Sequence, residues 1–258
     1  MPPFMSHDAF TQARWDELWG DAHTVYDPSA EPQLRDSLAL ITRFWPRPTG
    51  RFLEAGCGPA ANALNLALRG VEVAGIDLSA NAVSAARSEF ARRGLAGQFV
   101  SSDVRRIPFP DETFDFVYAG GVVEHFRELD QALAEMVRVL RPNGRLLITV
   151  PALTLAYPYL FLRGNVPALP VVEGLVAGIH FRLLRGRLAK FGYERSFLRG
   201  RVRRVLERAG LANIEVARFD TYLPLLQLPG VLRGVARRLA RTDAFAPMYY
   251  ATGVRPRS

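Results

Sequence analysis

The segment over residues 52–64, FLEAGCGPAANAL, constrains the fold more than any other stretch of this chain. A short apolar run enters a turn carrying Gly56 and Gly58 and leaves into a run of helical composition. Glycine at such a turn permits backbone paths and close ligand approaches that a Cβ would block. The first N–H groups of a following helix have no intrahelical partner, so the junction offers donors and partial positive charge to a polar ligand. Farther on, a β-branched run ends in Asp77, where a carboxylate can accept hydrogen bonds from both hydroxyls of a ribose. This layout suits an adenosine nucleoside bound at the carboxyl ends of parallel strands, where the strand order reverses.

The surrounding pattern alternates strand and helix. Strands are expected over 51–54, 71–76, 98–101, 113–118 and 145–150, the last apolar enough to be buried on both faces. Helices are expected over 59–69, with Pro59 at a first helical position, over 81–93, with Ser79 as N-cap and Gly94 as terminator, and over 127–140, stopped by RPNG. Two further helical pieces, 10–19 and 32–44, precede a PRPTG breaker. The alternation predicts an α/β fold with a doubly wound, mostly parallel sheet and right-handed crossovers. Residues 151–199 break the rhythm with Pro, Gly, Leu, Tyr and Phe, and read as an insertion. A helix over 200–209 and strands over 214–219 and 248–253 complete a seven-stranded sheet.

Charge is unevenly distributed: residues 1–180 carry net −4 and residues 181–258 net +12. A basic last third can attract nucleic acid, anionic lipid or an acidic acceptor, or be a solvated face. Lys190 is the sole lysine, so the skew toward arginine also fits codon bias. Few aromatic residues interleave with the arginines, which disfavours nucleic acid. The single cysteine, Cys57, forbids an intramolecular disulfide and fits a reducing cytoplasm. The first ten residues lack the pattern of a secretion signal. The most apolar stretch, 166–179, is broken by Pro167, Pro170, Glu173 and two glycines, so no membrane span is expected.

The glycine turn alone leaves the cofactor open. Gly56, Gly58 and Ala61 with Asp77 also satisfy a loose dinucleotide fingerprint, so an NAD-dependent oxidoreductase competes. Three features oppose it. Glu54, just before the glycines, suits an ammonium better than a pyrophosphate. Asp103, after the third strand, could accept from an adenine amine. No Tyr-x-x-x-Lys pair can be formed with Lys190.

Taken in order, EAGCG, GIDLS, SSDVRRIPFPDETFDFV, VVEHF and RVLRPNGRLLITVP resemble the class I S-adenosylmethionine-dependent methyltransferases, especially the ubiquinone/menaquinone-biosynthesis-like branch. The resemblance covers residues 52–151 and resumes more weakly in SFLRGRVRRVLERAGL. It implies S-adenosylmethionine as cofactor, in a Rossmann-like core with an inserted helical cap. Glu54 and the backbone of Gly56, Cys57 and Gly58 would hold its methionine end. Asp77 would hold the ribose, with Leu78 beside the adenine, and Asp103 and the Val104 N–H would meet the adenine edge. Ala119 and Gly120 would face the methionine portion. Ala60 departs from the family by replacing a frequent third glycine. The chain then divides into an N-terminal helical lid segment (1–50), a cofactor-binding core (51–150), an acceptor-binding cap (151–199) and a completion of the sheet (200–258).

Methyl transfer from a sulfonium needs alignment and exclusion of water more than it needs protein chemistry. An oxygen acceptor can require a base, and His125, on the loop after the fourth strand, is the candidate; the alternative is a structural or positioning histidine. Glu124 reads as a loop or cofactor-side hydrogen-bonding group rather than a catalyst. His180, Tyr193 and Glu194 are candidate acceptor-binding residues of the insertion, with ordinary packing as their alternative. His7 and His23 show no partner pattern, so no metal is expected. Cys57 reads as a small side chain of the turn and not a nucleophile. Trp15, Trp19 and Tyr26 read as packing, or as part of a lid. The apolar insertion favours a small, hydrophobic or lipid-linked acceptor methylated at oxygen, and the basic helix expected over 231–241 could lie on an anionic membrane. A cofactor-binding protein without catalysis is the remaining alternative. Acceptor identity and oligomeric state are not legible in the sequence.

Overall fold

The computed structural model describes residues 7–21, 26–189, 191–219, 234, 238–239 and 242–257. His23, Lys190 and most of the basic segment expected as a helix over 231–241 lie outside the described residues. The chain opens with helices α1 (His7–Asp21) and α2 (Pro32–Phe44). Then follow β1 (Arg51–Ala55), α3 (Ala61–Ala67), β2 (Glu72–Asp77), α4 (Ala80–Arg92), β3 (Gln98–Ser101), β4 (Phe114–Gly120), α5 (Leu129–Val139) and β5 (Leu140–Pro151). The insertion supplies α6 (Tyr157–Phe161), β6 (Asn165–Pro167), α7 (Pro170–Ala177), a wider helical turn Gly178–Leu183 and β7 (Glu194–Ser196). It is followed by α8 (Arg199–Arg208), β8 (Ala212–Phe219) and β9 (Met248–Val254).

One seven-stranded sheet runs β3-β2-β1-β4-β5-β9-β8, parallel except for β9, which pairs antiparallel with both β5 and β8. The order reverses between β1 and β4, so the loops after these strands open side by side at their carboxyl ends. Period-two alternation gives the sheet two apolar faces. Leu53, Val117, Leu146 and Ile148 pack with Leu133 and Met136 of α5 and Val205 and Leu206 of α8. Phe52, Phe116 and Leu147 pack with Ile41 of α2, Leu64 of α3 and Phe90 of α4.

Two junctions differ from the sequence expectation. Helix α3 starts at Ala61, because Pro59 and Ala60 are consumed by the turn and Ala60 adopts φ +63°. Glycine would adopt this left-handed conformation without the steric cost that the Ala60 Cβ carries. RPNG does not separate α5 from its strand. The strand begins at Leu140 and absorbs these residues as a bulge, with Asn143 at φ +64°, so that the partners of Phe114 and Phe116 are Leu140 and Arg145.

The insertion has its own small core, Val166, Val176, Ala177, Phe181, Ala189 and Tyr193, and α1 contributes Phe10 to it. The Thr11 hydroxyl accepts from the Tyr193 N–H at 2.9 Å, while Asn81 of α4 donates to the Asp16 carbonyl at 3.2 Å. Thus α1 bridges the insertion and the sheet-flanking helices, over the point where the strand order reverses.

Candidate active site

A cavity of about 630 Å³ lies at that point. Its floor is the β1 and β4 loops, and α1 and the insertion enclose it. Glu54, Gly56, Cys57, Gly58, Asp77, Leu78, Val104, Gly120 and His125 all line it.

At the core end two buried carboxyls flank the glycine turn. Glu54 accepts from Asn62 Nδ2 at 2.7 Å and from the Ala63 N–H at 3.0 Å. Ser37 Oγ lies 2.6 Å from Asn62 Oδ1, which orients the amide. Burial outweighs these donors and lifts the Glu54 carboxyl from 4.5 to about 7. Asp77 accepts from the Gly58 N–H at 2.7 Å through one oxygen and from the Ser79 N–H at 2.9 Å through the other. Burial raises its pKa as well, against those two bonds. Each oxygen of the pair keeps lone-pair capacity for a ligand. A Cβ at Gly56 would meet Val122 at 2.3 Å, and one at Gly58 the Trp19 ring at 2.9 Å, so both glycines are required by the turn's neighbours. This end suits a ligand carrying positive charge and hydroxyls; a pyrophosphate would face Glu54.

Asp103 and Ala119 stand differently. Asp103 is clasped by its own loop: Arg105 Nη2 donates to it at 2.6 Å, and the Arg105 N–H at 2.8 Å. Arg105 also reaches Asp8 of α1 and Glu128, both at 2.8 Å. Ala119 is fully buried in the core beneath the floor. Neither lines the cavity, whereas their neighbours Ser102, Val104 and Gly120 do.

The far end is built by the insertion. Tyr159, Leu160, Arg163, Asn165, Phe191 and Glu194 line it, opposite Glu124 and His125 of the turn Val123–His125. His125 Nδ1 lies 2.7 Å from the Tyr193 carbonyl. A carbonyl only accepts, so the proton sits on Nδ1. Burial pushes the His125 pKa from 6.5 down to about 4, leaving the ring neutral. Trp15 of α1 sets its ring edge-on to His125 at 5.5 Å and stacks with Phe191 at 5.7 Å and with Trp19 at 5.9 Å. Tyr193 itself points away, its hydroxyl donating to Glu173 at 2.6 Å. His180 is fully buried against Phe161, ring centroids 4.6 Å apart, and does not line the cavity. Sequence reasoning did not single out Asn62, Arg163 or Asn165. Asn62 follows the turn closely enough to be found; the other two are brought in only by the insertion's path.

A model of the methyltransferase domain family matches residues 53–148. A malonyl-(acyl-carrier protein) O-methyltransferase of Enterobacter lignolyticus is 35% identical over 134 residues, 52% of each chain. An O-methyltransferase of Aspergillus nomiae, rstn1, is 30% identical over 154 residues, 55% of this chain and 68% of that one. The chain belongs to the class I S-adenosylmethionine-dependent methyltransferases. The chain spans about half the length of several curated relatives that it matches. Its fold is similar to that of geranyl diphosphate C-methyltransferase from Streptomyces coelicolor, solved with S-adenosyl-L-homocysteine: TM-score 0.64 at 15% identity, covering 95% of this chain and 98% of that one. The residues matched by the family carry the glycine turn and the acid ending β2, whereas the insertion lies outside them.

Proposed function

We propose that this chain transfers a methyl group from S-adenosylmethionine to a hydroxyl oxygen of a small, hydrophobic or lipid-linked acceptor. The observation that carries this is a single cavity with two chemically distinct ends. When bound, the cofactor supplies an electrophilic methyl and a neutral thioether leaving group. Glu54 would meet its ammonium, the Gly56–Gly58 backbone its methionine portion and Asp77 its ribose. Leu78 and Val104 would flank the adenine. Asp103 would act through Arg105, which ties the adenine-side loop to α1. Gly120 would border the methionine portion, with Ala119 as backing beneath it.

The aromatic and apolar lining of the insertion fits a hydrophobic acceptor body. Helix α1, laid across both ends with Trp15 stacked on Phe191 and edge-on to His125, is suited to act as a lid that excludes water. His125, neutral and bonded through Nδ1, would hold the β4 loop against the insertion; its low pKa makes it a weak base. Buried and turned from the cavity, Tyr193 and His180 would shape the acceptor wall from behind.

Peripheral attachment to the inner face of a membrane is supported by an exposed apolar stripe on the insertion. Val171 is 88% exposed, Leu175 68% and Leu183 75%, beside the exposed Arg182. Among the described residues no helix is long and apolar enough to cross a membrane.

The test is transfer of tritium from methyl-labelled S-adenosylmethionine into solvent-extractable product, with a membrane-lipid extract as the acceptor source. Label in the organic phase that survives acid but not ether cleavage supports O-methylation of an apolar acceptor. Label only in water-soluble product would refute it.

A further inference from the structure

Two acids at the acceptor end are unused so far, and their role rests on the O-methyl-transfer reading above. Glu124 belongs to the turn after β4, Glu194 opens β7, and both line the cavity. The bond between His125 Nδ1 and the Tyr193 carbonyl brings them together, because Glu124 precedes His125 and Glu194 follows Tyr193. Glu124 is 1% exposed, and its Oε2 has no hydrogen-bond partner among the described residues. An ionised oxygen left so would be costly, whereas a protonated carboxyl carries a donor that a ligand can satisfy.

Glu194 is better provided for. It sits in register with Asn165 across the β6–β7 pair, and Ser196 Oγ donates to Asn165 Oδ1 at 2.9 Å, which leaves the amide Nδ2 for Glu194. The guanidinium of Arg163 favours its charged form. Burial raises both acids, Glu194 to about 7 and Glu124 well above the carboxylate range, where the charge of Glu194 adds to the effect. Other charged or titratable groups around the pair are Arg195 of β7, which favours an ionised Glu124, His125, which is neutral, and Tyr118 of β4, whose hydroxyl is held protonated by burial and by the charges of Glu54 and Glu124. Beyond them, Glu173 of α7 lies 3.9 Å from Arg195 and takes the Tyr193 hydroxyl. Two neighbouring carboxyls whose surroundings differ in this way separate into a donor and a base.

We propose that Glu124 and Glu194 are the acceptor-side proton pair of this enzyme: Glu124 donates a hydrogen bond to the acceptor oxygen, and Glu194 takes the proton from a neutral O–H carried on an apolar body. As the oxygen–methyl bond forms and the methyl–sulfonium bond breaks, the hydroxyl proton passes to the Glu194 carboxylate. The acceptor becomes a neutral ether and the sulfonium a neutral thioether. Arg163 already donates to the Tyr159 hydroxyl at 2.8 Å, and its charge is offset by that of Glu194. A carboxylate acceptor would add a third acid to this space, so the pocket selects phenols or alcohols.

The test has two arms on the full chain. In the first, carbon-13 carboxyl resonances of the glutamates are titrated with S-adenosylhomocysteine bound, from about pH 5 to about pH 9. Two of them should titrate well above ordinary carboxylates, each vanishing in one of Glu124→Gln and Glu194→Gln. The survivor in either variant should titrate below the upper midpoint of the pair. Independent titration in the ordinary range would overturn the proposal.

In the second arm para-nonylphenol and decanoic acid are offered as acceptors. Glu194→Gln should lower kcat/KM for the phenol by about 100-fold or more, at unchanged S-adenosylhomocysteine affinity and with a cooperative melting transition retained. Glu124→Gln, which keeps a neutral donor, should retain most of the rate, while Glu124→Leu raises KM. Undiminished transfer by Glu194→Gln, preference for the acid, or no transfer to the phenol by a protein that binds S-adenosylhomocysteine would each overturn it. Failure to bind S-adenosylhomocysteine at all would instead refute the methyltransferase reading on which it rests.

Discussion

Replacing Glu54 by Gln isolates the cost of the buried acid beneath the glycine turn. Burial lifts this carboxyl from 4.5 to about 7, against bonds from Asn62 and the Ala63 N–H. A folded-state pKa above the unfolded one means that the native protein binds the proton more tightly. The associated stability is fully present below pH 4.5 and is lost as pH rises through 7. The rise is worth about 3 kcal/mol in all, most of which is lost between about pH 5 and about pH 8. Gln cannot ionise. It also turns an NH₂ toward one of the two donors, a pH-independent cost of about 1–3 kcal/mol. Urea unfolding of ligand-free wild type and variant at both pH values measures the difference directly. Slopes from Glu124 and Glu194 are common to both proteins and cancel. The variant should be the less stable at the acidic end and should close the gap by about 2–3 kcal/mol at the basic end. A gap that does not change with pH would refute the reasoning, because Glu54 would then have no raised pKa.

Three further outcomes follow from the same geometry. Binding of the cofactor's ammonium beside Glu54 should release about half a proton at pH 7, read by calorimetry in buffers of different ionisation enthalpy, and nearly none in Glu54→Gln. Ala60→Gly should raise stability by about 1 kcal/mol, since Ala60 holds φ +63°, and a lower melting temperature would count against it. Trp15→Ala removes the contacts to His125, Trp19 and Phe191; it should raise KM for the acceptor far more than the affinity for S-adenosylhomocysteine changes, and equal effects on both would argue against α1 as a lid.

The sheet was legible because each strand is bounded by its own punctuation and alternates on a buried surface. The places of Glu54, Gly56 and Gly58 were legible for a related reason: one strand and its turn fix them within a few residues of each other, and Asp77 ends the next strand beside them. The start of α3 was misjudged because Pro59 suits a first helical turn, yet the chain needs Pro59 and Ala60 to complete the loop. Asp103 was read by position alone, and its clasp by Arg105 depends on side-chain reach that spacing does not encode. The acceptor end was least legible. Glu124 and Glu194 are 70 positions apart and meet only through the His125–Tyr193 bond, a contact made by the fold of the insertion.

The central claim, that this cavity holds S-adenosylmethionine through the acid ending β2, is tested most directly by calorimetric titration of the full chain. S-adenosylmethionine, S-adenosylhomocysteine and NAD would be compared on wild type and Asp77→Ala, with melting curves to verify folding. The account predicts that wild type binds both sulfur ligands and not NAD, and that a folded Asp77→Ala loses at least about tenfold in affinity, the equivalent of about 1.4 kcal/mol. Binding of NAD alone, or undiminished binding of S-adenosylhomocysteine by Asp77→Ala, would contradict it.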